Sequence, residues 1–203
     1  EKKLNFKIIS DENINAFVDQ NNIIYITSGL IENCNDYVAL VSVISHEIGH
    51  IDNNHIKERI YRNSKLNNIN TFSSLSIIAS SMLFNNPEII KSLAISSGAL
   101  SEHNIVFSKE QEKEADYYSL ESLKRLNLYS NSIIELLLTI EIKSNQKGIT
   151  KEKLKYGTHP YFEDRINIIN YLKRNQGVKL NDKKNNRFKF IQAKFIGYSG
   201  NTN

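Results

Sequence analysis

Residues 46–50 read His-Glu-Ile-Gly-His, and this pentapeptide constrains the chain more than any other stretch. It lies within a run that the apolar residues Val38, Val41, Ile44, Ile48 and Ile51 mark as helical. On a helix, residues four apart share a face one turn apart, so His46 and His50 can reach one ion. Zinc suits two imidazoles in this spacing. Glu47, beside the first, is placed to polarise a metal-bound water as general base. Asp36 is the expected N-cap, and the helix is expected to run from there to about Tyr61.

The remaining composition excludes several classes. The sequence has 203 residues, 40% hydrophobic and 24% charged, which suits one sizeable globular core. The net charge of +4 comes from scattered rather than striped Lys and Arg, which argues against a nucleic-acid site. The single cysteine, Cys34, can form neither an intrachain disulfide nor a thiolate cluster, and it reads as a small core residue. The uncharged stretch from Leu66 to Pro87 has an apolar centre, Leu75 to Phe84, too short to span a bilayer. No transmembrane segment is expected. The chain starts at Glu1 rather than Met, so an export signal is expected to have been removed.

Strands are expected at Asn5 to Ile9, Asn15 to Val18 and Ile23 to Thr27. The last is β-branched and aromatic, and the polar turn Asp19 to Asn22 makes it a hairpin partner of the second. Ile23, Ile24, Tyr25, Ile26 and Thr27 directly precede the histidine helix. As an unpaired sheet edge they would bind an extended peptide by strand addition. A polar loop is expected at Asn63 to Asn70, followed by helices at Phe72 to Phe84 and Pro87 to Leu100. Being rich in Ser and Asn, the segment from Asn63 to Phe107 reads as a movable cover. Ser108-Lys109-Glu110-Gln111 is a capping box opening a helix to about Leu126. Further helices are expected at Ser132 to Lys143, Pro160 to about Lys173 and Phe188 to Tyr198. The fold class is α+β: a small N-terminal sheet, then a mainly helical bundle, forming one domain over residues 1–203.

A catalytic zinc needs a third protein ligand and an open position. His55 follows His50 by five residues, not the six of HExxHxxGxxH, and Asn53 replaces the glycine of that pattern. A glutamate from a second helix is the other route. Of Glu58, Glu88, Glu102, Glu110, Glu112 and Glu114, only Glu112 has an aspartate at i+4. Asp116 could accept the free N–H of a ligand imidazole, and Ala115 is small enough for close helix packing.

These pieces, in order, carry a resemblance. Asn15-Ala16-Phe17, Ile24 to Leu30, His46 to His50, Glu112-Lys113-Glu114-Ala115-Asp116 and Thr158-His159-Pro160 with Arg165 resemble the HtpX-like and BepA-like zinc peptidases. That is peptidase family M forty-eight of the gluzincins, and the resemblance covers about residues 5 to 172. It implies a zincin-like fold and one Zn2+ per chain on His46, His50 and Glu112. Glu47 would be the base, Asp116 would hold a ligand imidazole, and His159 and Arg165 would lie near the metal. As the chain has no expected transmembrane helix, it is more similar to the periplasmic branch, with peripheral membrane association left open. The implied activity is endopeptidase cleavage of misfolded or unassembled envelope polypeptides. A latent protease serving as chaperone or assembly factor is the alternative, and a purely structural zinc domain a weaker one. Residues from about 187 to 203 resemble the join to tetratricopeptide repeats, a route to further partners. His159 has two open roles: oxyanion donor, or a fourth ligand that displaces water and holds the enzyme latent.

Overall fold

The computed structural model describes residues 3–66, 107–128, 131–148, 159, 162–172 and 180–199. Three strands come first: β1 (Asn5–Ile9), β2 (Ala16–Val18) and β3 (Ile23–Thr27). Helices α1 (Ser28–Asn33), α2 (Tyr37–Asp52) and α3 (His55–Leu66) follow. After residue 106 come α4 (Lys109–Arg125), α5 (Asn131–Gln146), α6 (Phe162–Leu172) and α7 (Asp182–Ser199). The arrangement is α+β, mostly helical with a small N-terminal sheet.

β2 and β3 form the expected hairpin. The Asp19 carboxylate accepts from the amides of Asn21 and Ile23 at 2.8 and 2.9 Å, and Asn22 turns the chain with φ 58°. The sheet order is β1-β3-β2, with β1 parallel and β2 antiparallel to β3. β3 is therefore the central strand, and the expectation that residues 23–27 form an unpaired edge is wrong. The reason is chemical. Ile24 and Ile26 face the core, while Tyr25 on the opposite face stacks against Phe17 at 5.0 Å. A strand apolar on both faces suits an interior position.

Directly after β3 the chain enters α1, which the sequence reading missed. Thr27 caps it, its hydroxyl accepting from the Leu30 amide at 3.1 Å. Gly29 is forced by space: a Cβ there would lie 2.3 Å from the Glu12 carbonyl oxygen.

Asp36 caps α2 as expected, accepting from the Ala39 amide at 2.8 Å, and its other oxygen accepts from the Ser132 hydroxyl at 2.7 Å. One carboxylate thus ties the starts of α2 and α5. The single helix expected to reach Tyr61 is instead two. It breaks at Asn53-Asn54, where Asn54 adopts φ 58°, a left-handed geometry that asparagine tolerates. Residues 63–66, expected to open a polar loop, instead continue α3 to Leu66, and residues 67–70 lie outside the described residues. The helices expected over 72–100, Pro160 and nearly all of the proposed cover lie outside the described residues.

α2 is the centre of the helical part, packed most extensively on α4. A Cβ at Gly49 would sit 3.1 Å from the Cα of Ala115, so these two small residues set how closely the helices approach. The Ser119 hydroxyl donates to the Ser42 carbonyl at 2.8 Å across the same contact. One apolar cluster joins β2, β3, α1 and α2, with Cys34 inside it as expected; a second joins Val38 to Leu123, Ile133, Leu137 and Ile169. The capping box of α4 is fully formed. The C-terminal stretch is helical, as expected, and Gln192 of α7 donates to the Ile31 and Cys34 carbonyls at 2.7 and 2.9 Å. No helix among the described residues is long and apolar enough to cross a membrane.

Candidate metal centre

α2 turns His46, Glu47 and His50 inward, with exposures of 5%, 1% and 0%. The two Nε2 atoms face each other at 3.0 Å. α4 brings in Glu112, fully buried, with carboxylate oxygens 3.5 Å from each of those nitrogens. His159 Nδ1 lies 3.1 Å from Glu112 Oε1 and 3.3 Å from His46 Nε2. One ligand atom from each of His46, His50, Glu112 and His159 lies within 4.8 Å of the others. Atoms about 2 Å from a tetrahedral zinc stand about 3.3 Å apart, so the cluster has the scale of one zinc site. Where no proton is shared between them, four lone pairs held this close repel one another unless a cation lies between them, and the donor set fits zinc.

The surroundings support these four. Asp116 Oδ1 accepts from His46 Nδ1 at 2.9 Å, as the i+4 spacing suggested. Arg165 on α6 grips Asp116 with Nε and Nη2 at 2.9 and 2.7 Å, while its Nη1 lies 3.1 Å from Glu112 Oε2. Arg165 is 6% exposed. Its guanidinium is committed to two carboxylates rather than left free for an oxyanion. Of the expected motif Thr158-His159-Pro160, only His159 is among the described residues. Its Nε2 lies 3.3 Å from Glu47 Oε1 and 3.2 Å from the Ala16 carbonyl on β2.

Electrostatics divide the two imidazoles. Burial and Arg165 push His46 down, but Asp116 and Glu112 outweigh them and hold it above its usual range. Burial drives His50 well below the usual histidine value. Glu112 is held well below the carboxylate range: burial raises it, and Arg165 and His159 outweigh that. Asp116 is lowered to about 2, chiefly by Arg165 overcoming burial. Glu47 moves the other way. Burial pushes it up to about 7 against the pull of His159, and its Oε2 has no hydrogen-bond partner. A carboxyl near neutrality can both take and return a proton at ordinary pH.

The sequence reading missed three contributors. Phe107 stacks on the His50 ring at 3.7 Å and carries the Arg59 guanidinium on its face at 4.5 Å. His55, weighed only as a metal ligand, lies behind His50, its Nδ1 3.0 Å from His50 Nδ1. Glu114, set aside as a ligand, accepts from His55 Nε2 at 2.9 Å. The Asn53-Asn54 turn that re-aims His55 was the available signal.

With this geometry established, comparison with known sequences gives the lineage. Residues 1–173 match peptidase family M48. The chain belongs to that family. As an M48 chain it falls in a group that is zinc-dependent in general, in agreement with the donor cluster on α2 and α4. It is also similar to a Vibrio cholerae serotype O1 protein named as a beta-barrel assembly-enhancing protease, 25% identical over 164 residues. That alignment takes in 79% of this chain and 33% of the relative, so the chain spans about a third of its length.

Proposed function

We propose that this chain is a zinc metalloendopeptidase of zincin-like fold, with His46, His50 and Glu112 as the ligands and Glu47 as the general base. The observation that carries this reading is a buried carboxyl with an unpartnered oxygen beside a converging His-His-Glu set. Zinc bound there would polarise the peptide carbonyl and make its water nucleophilic near neutral pH. Glu47 takes the proton from the attacking water and returns it to the leaving amine, and burial, which raises its carboxyl, favours that return. Arg165 and Asp116 orient His46, while Arg165 also steadies Glu112.

A peptide substrate would lie along β2 rather than β3. β2 pairs with β3 on one side only among the described residues, and its Ala16 carbonyl reaches the site through His159. Backbone pairing at this edge would tolerate many sequences, as an enzyme acting on unfolded chains requires. We read the substrates as misfolded or unassembled envelope proteins, met in the periplasm or envelope, in keeping with a relative named as a beta-barrel assembly-enhancing protease.

The position of His159 supports a latent resting state. Its Nδ1 points at the ligand cluster and its Nε2 at Glu47, so one ring fills the open position and engages the base. The same position favours the second reading, a latent protease acting as an assembly factor.

Casein cleavage tests the activity. The zinc-loaded wild type cuts casein, and Glu47→Gln keeps its zinc but loses at least about a hundredfold in rate. Equal cleavage by the two proteins would remove Glu47 from the chemistry. Absence of cleavage by wild type and by His159→Ala alike would favour the assembly factor.

A further inference from the structure

Asp116 accepts from His46, not from His50. The partner of His50 on the far side of the ring is His55, which has 1% exposure and opens α3 just past the Asn53-Asn54 turn. The contact is between the two Nδ1 atoms at 3.0 Å, and His55 Nε2 then meets Glu114 Oε2 at 2.9 Å. Glu114 sits two residues beyond Glu112 on α4, with its side chain 60% exposed. Three elements therefore end on one line running from the metal cluster to solvent: α2, α3 and α4.

The proton positions along that line follow from the chemistry. If His50 ligates through Nε2, that nitrogen offers its lone pair, and a neutral ring then carries its proton on Nδ1. Among the described residues, the acceptor placed for that proton is His55 Nδ1, at 3.0 Å. His55 must then carry its own proton on Nε2, and the Glu114 carboxylate is placed to accept it. Every atom in the chain has one role, and the Glu114 charge fixes the tautomer two rings away.

We infer that His55 and Glu114 form a hydrogen-bond relay that holds His50 in its metal-binding tautomer and orientation, making His55 a positioning residue. The inference rests on the reading that His50 is a zinc ligand. Partners of this kind commonly contribute about 10- to 100-fold to metal affinity.

The test is the zinc dissociation constant of the full chain, read by competition with a chromophoric chelator, with circular dichroism to confirm folding. His55→Leu keeps the bulk but removes the acceptor, and is expected to weaken zinc binding about 10- to 100-fold. His55→Asn places an amide oxygen where Nδ1 stood and recovers most of that loss. His55→Gln reaches Glu114 but not His50, and binds as weakly as the leucine variant. Glu114→Ala gives a smaller loss, of a few-fold. A purely structural role for His55 predicts no such ranking. Wild-type affinity in a folded His55→Leu protein would overturn the relay. If the leucine variant does not fold, an asparagine variant binding no better than the glutamine one would overturn it too. His50→Ala separates the two readings: unchanged zinc binding there would refute His50 as ligand, whereas lost binding with unchanged His55 variants refutes only the relay.

Discussion

The two imidazoles of the histidine helix are supported in opposite ways. On the His46 side, Asp116, Arg165 and Glu112 form a buried charge network, and each is at most 6% exposed. On the His50 side the partners are the His55 ring, the face of Phe107 and, beyond His55, a carboxylate in solvent. The first arrangement holds its histidine above the usual value and the second leaves its histidine well below. Both hold Nε2 toward the same point. The difference shows two ways to orient a buried imidazole: by charge that is costly to bury, or by hydrogen bonds that end on a carboxylate at the surface. On the proposed reading, only the first would tie metal binding to the stability of the fold.

The largest expected effect exploits that difference. Arg165→Leu strands Asp116 and Glu112 as buried carboxylates, at a cost of about 3–5 kcal/mol of folding stability in urea denaturation. Glu114→Ala, on the other side, should cost less than about 1 kcal/mol, because the group is exposed. Equal costs would erase the contrast. Next in size is zinc affinity. Asp116→Asn keeps an oxygen near His46 but loses the charge, so a loss of about 10- to 100-fold is expected. Combined with His55→Leu, the losses in binding free energy should add if the two supports are independent. A double variant no worse than either single one would mean that the supports act as one unit.

His159 tests which side the open position belongs to. His159→Ala should raise cleavage of a short peptide roughly tenfold if the closed arrangement is favoured tenfold at rest. A fall in kcat with unchanged KM would instead make this ring an oxyanion donor.

Cys34 supplies a pH-dependent effect away from both supports. Burial, then the Asp36 charge, push its thiol up to about 12 against the pull of Lys189. A thiol raised in the folded state from 9.0 favours folding fully below pH 9, and this contribution is lost as pH rises from 9 toward 12. Comparison with Cys34→Ala should isolate a fall of about 1.4 kcal/mol by pH 10. Coincident pH profiles for the two proteins would place the thiol in contact with water.

The sequence alone determined what lies within one helix. The i, i+4 histidines, the Asp36 cap, the capping box at Ser108 and the pairing of Glu112 with Asp116 all follow from periodicity. Periodicity survives folding because helix geometry is local. Composition and alternation likewise gave the three strands and the buried Cys34. Only the tertiary structure decided what depends on contacts between distant segments. β3 became the central strand because β1 returned alongside it, a pairing that no local pattern encodes. Arg165 reached Asp116 across 49 positions and His55 reached Glu114 across 59, distances that only packing can close. The left-handed turn at Asn54 converted one expected helix into two, and so turned His55 from a failed ligand candidate into the neighbour of His50.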